Sequence, residues 1–155
     1  MIQWENIKFF KPIEFACKCP EHRNIPVYDM DEKLIIGLMR LREVLGVPII
    51  ISSGWRCEKY NAKIGGRRFS FHLLKQAADF MIKYTDRKII QEKIKDKPIF
   101  AQDKVLGVVK YIWSLCEVIG FSGIGYYHKE GHFHVDVGDR FERWAKKNGT
   151  YYYIF

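Results

Sequence analysis

No stretch of this chain approaches 18 apolar residues, so no helix in it is expected to span a membrane. The first residues, Met1 to Asn6, lack a charged region followed by an apolar run. They are not a secretory signal as they stand. The expectation is a protein made in the cytoplasm, or one whose leader lies outside this sequence. There are no repeats, no low-complexity tract and no obvious linker, which argues against arrays and strings of domains. Cysteine is scarce and irregular: Cys17, Cys19, Cys57 and Cys116 form no disulfide framework. Cys17 and Cys19 are too close in sequence to bridge each other easily. Together with His22 they could in principle hold a metal, but two cysteines with no second C-x-x-C make a weak signal. Cys116 sits in a run that reads as a buried helix face, where it serves as apolar filler.

What is present fits one compact domain of 155 residues. Hydrophobic residues make up 48%, enough for a real core, and the 28% charged fraction argues against disorder. Aromatics reach 15%, so some rings should line a groove as well as fill the interior. The net charge of +8 favours anionic partners, whether nucleic acid, an anionic cell wall or a membrane surface. The basic residues are scattered and carry no base-reading motif, so no specific nucleic-acid partner is expected.

Pro12, Pro20 and Pro26 make residues 1–28 an irregular lead-in. Leucines at 34, 38, 41 and 45 predict a helix from about Met30 to Leu45, with Asp29 as its cap and Gly46 and Pro48 beyond its end. Pro48 to Ser52 reads as a buried strand. A short helical turn follows at Glu58 to Lys63, then a second core strand at Ala77 to Ile82. Helices are predicted at Asp86 to Ile94 and Lys104 to Ile119. Gly123 to Tyr127 and His132 to Val137 read as a hairpin. Residues 139–155 read as a C-terminal tail whose last residues, Tyr151 to Phe155, form an edge strand or an apolar strip. Helices followed by paired strands predict an α+β fold with an antiparallel or mixed sheet.

Two clusters carry chemistry. In His128-Lys-Glu-Gly-His132-Phe-His134-Val-Asp136, the side chains of His132, His134 and Asp136 share one face of a strand. They form a metal or acid/base surface, or an ordinary polar face turned to solvent. In Ser70-Phe-His72-Leu-Leu-Lys-Gln-Ala-Ala-Asp79, the carboxylate of Asp79 falls in an otherwise apolar strand. A buried carboxylate is costly unless something cationic faces it, a metal or an Arg or Lys. Two imidazoles, one carboxylate and an open position make a catalytic zinc site by ligand count. Such a site lowers the pKa of bound water and polarises a carbonyl, so it needs no serine or cysteine nucleophile.

The blocks Ser53-Gly54-Trp55-Arg56, Tyr60-Asn61-Ala62, Gly65-Gly66, Ser70-x-His72, Ala77-Ala78-Asp79, Gly125-Tyr126-Tyr127 and His134-Val135-Asp136 resemble the M15 zinc peptidases. These are D-alanyl-D-alanine carboxypeptidases and murein endopeptidases, whose core is shared with hedgehog signalling domains and lysostaphin-type peptidases. The likeness covers about residues 48–138, with a weaker echo at Phe10 to Cys17. It implies a small α+β domain with helices packed on one side of the sheet. It implies zinc as cofactor, held by His72, Asp79 and His134. His132 would be a non-ligand histidine beside the metal and the favoured general base, with Glu130 and His128 in reserve. Arg56 would bind or polarise the substrate carbonyl or carboxylate, and Ser70, Trp55 and Tyr127 would contact substrate. The implied substrate is a stem or cross-link peptide of peptidoglycan. The small size, the single domain and the lack of an evident leader suit a phage-type lytic enzyme, expected as a monomer. The alternative is a wall-binding module that keeps the metal and has lost turnover.

Two positions depart from the family pattern. Lys75 stands where the pattern has glycine, which predicts another backbone conformation or a different loop. Gly131 stands where some branches carry an acidic base.

Overall fold

The computed structural model describes residues 2–101 and 104–153. After two 3-10 turns, Trp4–Asn6 and Pro12–Phe15, the elements are α1 (Glu32–Leu45), β1 (Ile50–Ser53), α2 (Glu58–Lys63), β2 (Ala77–Met81), α3 (Tyr84–Ile94), α4 (Pro98–Ala101), α5 (Lys104–Ile119), β3 (Gly123–Tyr127), β4 (His132–Asp136), β5 (Glu142–Lys147) and β6 (Thr150–Tyr153). The six strands form one sheet in the order β1-β2-β4-β3-β5-β6. Every pairing is antiparallel except β3 with β5. The fold is therefore α+β with a mixed sheet, as the sequence predicts.

Strand alternation divides the sheet into two faces with different work. Ala78 and Phe80 of β2, Ile124 and Tyr126 of β3, and Phe133 and Val135 of β4 join the hydrophobic core. Leu34, Leu38, Leu41 and Leu45 of α1 meet Ile112 and Cys116 of α5 and Ile90 and Ile94 of α3 in the same core. Phe80 and Phe133 stack across the β2–β4 seam with ring centroids 5.3 Å apart. Fully burying each such side chain is worth about 1.5–3 kcal/mol. The helical side of the sheet thus fixes the register of the strands. The opposite face, with Ala77 and Asp79, Gly123, Gly125 and Tyr127, and His132, His134 and Asp136, is left for chemistry.

Besides the short helix α4, which the sequence reading did not include, three local features differ from it. The cap of α1 is Asp31, which accepts the Lys33 N–H at 2.9 Å. Asp29 instead pairs with Lys75. A strand, β5, occupies Glu142–Lys147 within the predicted tail, and β6 covers Thr150–Tyr153. Ile154 and Phe155 lie outside the described residues.

The third difference is Lys75. It keeps the left-handed backbone that glycine would take, at φ 61°, rather than escaping it. Its carbonyl accepts the Asp31 N–H at 3.0 Å and its ammonium pairs with Asp29, so the loop after His72 is tied to the start of α1. A left-handed conformation costs a side chain roughly 1–2 kcal/mol, partly offset here by glycine's greater unfolded-state entropy. Lys75→Gly should therefore raise stability by about 1 kcal/mol, a Tm gain of roughly 2–4 °C for a chain of this size. A thermal melt of the two proteins checks this, and a lower Tm would show that the Asp29 pair outweighs the strain.

Candidate metal centre

Asp79 sits in the middle of β2 because the strands on both sides put partners opposite it. The register pairs it with Ser53 of β1 and His134 of β4. His134 is in turn opposite Gly125 of β3. A Cβ at Gly125 would lie 2.3 Å from the indole of Trp144, so only glycine lets that ring cross from β5 onto the histidine. The His134 and Trp144 ring centroids are 5.0 Å apart. His72 arrives from the turn that precedes β2.

The three side chains converge in the interior: His72 is 2% exposed, Asp79 6% and His134 8%. Asp79 Oδ1 is 2.9 Å from His134 Nδ1 and 3.3 Å from His72 Nε2. His72 Nε2 and His134 Nδ1 are 3.3 Å apart. A tetrahedral zinc with bonds of 2.0–2.1 Å needs donor–donor edges of about 3.3 Å, so the spacing suits it.

The outer nitrogens of both rings are already committed. His72 Nδ1–H donates to the Gly54 carbonyl at 2.7 Å, and His134 Nε2–H donates to Asp136 Oδ2 at 3.0 Å. Such contacts fix tautomer and ring orientation in metal sites. They leave His72 Nε2 and His134 Nδ1 turned toward one carboxylate oxygen. Three acceptor atoms aimed at one point require a cation between them, either a metal or a proton. The residues therefore fit zinc.

The electrostatics follow from the same contacts. Burial works against charge on Asp79, but His72 and His134 outweigh it and hold the carboxyl well below its usual range. Burial likewise disfavours the His134 cation, yet its bonds to Asp136 and Asp79 prevail and lift its pKa to about 9. Burial pushes His72 down. Without metal, then, a proton shared with His134 fills the place of the cation.

Asp79 also has a basic partner. Arg56 Nη2 donates to Asp79 Oδ2, and Arg56 Nε donates to Ser53 Oγ at 2.9 Å. Of the two cationic partners weighed from sequence, the arginine takes Oδ2, and Oδ1 faces the two imidazole nitrogens where a metal would be held. A cavity of about 300 Å³ opens above the cluster. Arg56, Ser70, Tyr127, Glu130 and His132 all line it. His132 stacks on Tyr127 at 4.4 Å, and burial lowers its pKa. Ser70 Oγ accepts the His72 N–H at 3.4 Å.

Two residues singled out from sequence lie elsewhere. Trp55 is absent from the cavity lining and packs edge-on against His22 at 5.2 Å. His128 faces the other side of the sheet, in a groove with Trp113, Tyr126 and Tyr152. Gly131 closes the β3–β4 turn at φ 66°, where an acidic side chain would be strained. Arg140, Trp144 and Lys146 were missed, although they line the cavity. Asp136 was read from sequence as part of a metal or acid/base surface with His132 and His134, and the structure places it behind His134, whose Nε2–H it accepts.

The family profile of peptidase M15 matches residues 8–111, about two thirds of the chain. The chain belongs to the peptidase M15 family. The match includes His72 and Asp79 and stops before His134. In this M15 chain the fold itself brings in the third donor, through the β2–β4 pairing. No curated protein and no solved structure matches the chain.

Proposed function

We propose that this M15 chain is a zinc-dependent peptidase that hydrolyses peptide bonds of bacterial peptidoglycan, acting at the wall once released or exported. The observation that carries the reading is the convergence of His72 Nε2, Asp79 Oδ1 and His134 Nδ1 beneath an open cavity. When bound there, zinc supplies a Lewis acid for the scissile carbonyl and activates water for attack.

The chain's own groups do the rest. His132 lines the cavity, and burial keeps it neutral and able to accept a proton. It is the favoured general base, with Glu130 on the same rim. Arg56, anchored by Asp79 and Ser53, is available to hold a carbonyl or carboxylate oxygen. Ser70 and Tyr127 flank the substrate path. Arg67, Arg140 and Lys146 add positive charge to the cavity wall. Stem peptides carry free carboxylates, so a basic cavity favours them over neutral peptides.

The decisive measurement is mass spectrometry of fragments released from purified sacculi, with and without chelator. Metal-loaded protein should release peptide fragments, the metal-free protein none, and added zinc should restore release. His132→Ala should keep its metal and lose roughly 10²- to 10⁴-fold in rate, the usual worth of a general base. Unchanged release after complete metal removal would overturn the reading. The glycine at 131 supports a second reading, a wall-binding module without turnover. Binding to sacculi with no fragments after long incubation would favour that module.

A further inference from the structure

Three thiols and an imidazole gather outside the proposed active site. Cys17 and Cys19 come from the lead-in after the second 3-10 turn, His22 from the turn that follows, and Cys57 from the residue before α2. Their donor atoms all lie within 4.8 Å of one another. We propose that Cys17, Cys19, His22 and Cys57 form a second metal site, a closed Cys₃His site for zinc.

The geometry separates this from a disulfide. Cys57 Sγ is 3.8 Å from Cys17 Sγ and 3.8 Å from Cys19 Sγ. Zinc–thiolate bonds of 2.3 Å give sulfur–sulfur edges of about 3.8 Å, whereas a disulfide needs about 2.05 Å. Cys57 is equally distant from both candidate partners. Bridging it to either one would leave a buried thiol and the histidine unused. Cys19 Sγ and His22 Nδ1 are 2.9 Å apart, a thiol–imidazole hydrogen bond that must open by a few tenths of an ångström to admit the ion.

The sulfurs also have the backbone support expected of thiolate ligands. The Cys57 N–H donates to Cys17 Sγ at 3.3 Å and the Tyr60 N–H donates to Cys57 Sγ at 3.4 Å. Cys17 and Cys19 are buried, so the site is closed to substrate and its role is structural. A soft donor set of three thiolates and one imidazole selects zinc over magnesium or calcium.

The site would clamp the loop that carries Arg56. Trp55 N–H donates to the Phe15 carbonyl at 2.9 Å, and a Cβ at Gly54 would lie 2.5 Å from Phe15 Cα. The Gly54 carbonyl orients His72, and Arg56 holds Asp79. A metal joining residues 17–22 to residue 57 therefore fixes the lead-in against the wall of the catalytic centre. That positioning role rests on the peptidase reading, while the metal site itself does not.

The test is metal analysis and cobalt substitution of the full chain purified under reducing conditions. About two equivalents of zinc should bind, and the cobalt form should show thiolate-to-metal charge-transfer absorption. The pair His72→Ala/His134→Ala should retain one equivalent and the whole thiolate signal. Cys19→Ser should lose that signal while keeping the other equivalent. A cobalt-loaded wild-type chain with no thiolate absorption overturns the proposal, whatever the variants do. So does a Cys17–Cys57 disulfide in peptide maps of the freshly purified protein. Thiolate absorption with no hydrolysis of sacculi would leave the second site standing and sink only the peptidase reading.

Discussion

Asp79→Ala should abolish both metal binding and hydrolysis, and should cost the fold about 3–5 kcal/mol. The stability loss follows from what remains behind. Arg56 has a side chain only 13% exposed, and its Nη2 partner would be gone. Removing one member of a buried ion pair leaves an uncompensated charge, which is where a penalty of that size arises. His134 would lose the acceptor for its Nδ1 side, and His72 the carboxylate that faces it. Asp79→Asn tests the two effects separately. It keeps the shape and one oxygen for Arg56 but weakens the anionic donor, so metal should be lost with a smaller drop in Tm. Equilibrium unfolding together with metal analysis checks both variants. A metal-loaded Asp79→Ala protein would show that the ion does not sit between these three donors.

Asp136→Ala should weaken metal binding by roughly 10- to 100-fold, the usual consequence of removing an outer carboxylate that orients a histidine ligand. Asp136 is 1% exposed and accepts both the His134 Nε2–H at 3.0 Å and the Gly138 N–H at 3.1 Å. The same substitution has a signature in pH. In the metal-free wild type His134 has a pKa of about 9, so at neutral pH it is a cation. Metal uptake at Nδ1 must expel its proton. About one proton should therefore be released per metal at pH 7, and apparent affinity should rise with pH until about 9. Without Asp136 the His134 pKa falls, fewer protons are released, and affinity levels off at lower pH. Calorimetry in buffers of different ionisation enthalpy measures the proton count. Equal proton release by both proteins would remove Asp136 from this role.

α1 and α5 were legible from apolar residues at the helix period, and β1 to β4 from short β-branched, apolar or alternating runs, whereas the one-turn helix α4 (Pro98–Ala101) was not foreseen. α2 and α5 fall at the predicted limits. β5 was not legible. Its buried residues, Arg143 and Trp144, are neighbours in sequence rather than alternate residues, and its parallel pairing to β3 is a long-range contact. The Asp29 cap failed because two aspartates stand near the helix start and sequence cannot show that Lys75 claims one of them. The three donor residues were available from motif resemblance, and their spacing now has a geometric reason in the Asp79–His134 register. The orientation of His128 was lost because the turn between β3 and β4 breaks the alternation that fixes His132. Cys57 was overlooked as a partner of Cys17 and Cys19 because forty residues separate it from the first of them.

The β2–β4 seam has a kinetic meaning. Asp79 and His134 lie 55 residues apart, with α3, α4 and α5 between them. Closing so long a loop costs chain entropy before any strand contact rewards it, so this seam belongs among the slower events of folding. The donors at 72 and 79 sit together early, but the third arrives only when the centre of the sheet zips up. A bound ion would then span the two central strands and resist their separation, slowing unfolding more than it speeds folding. The same atom that would serve chemistry would then also set the lifetime of the folded chain.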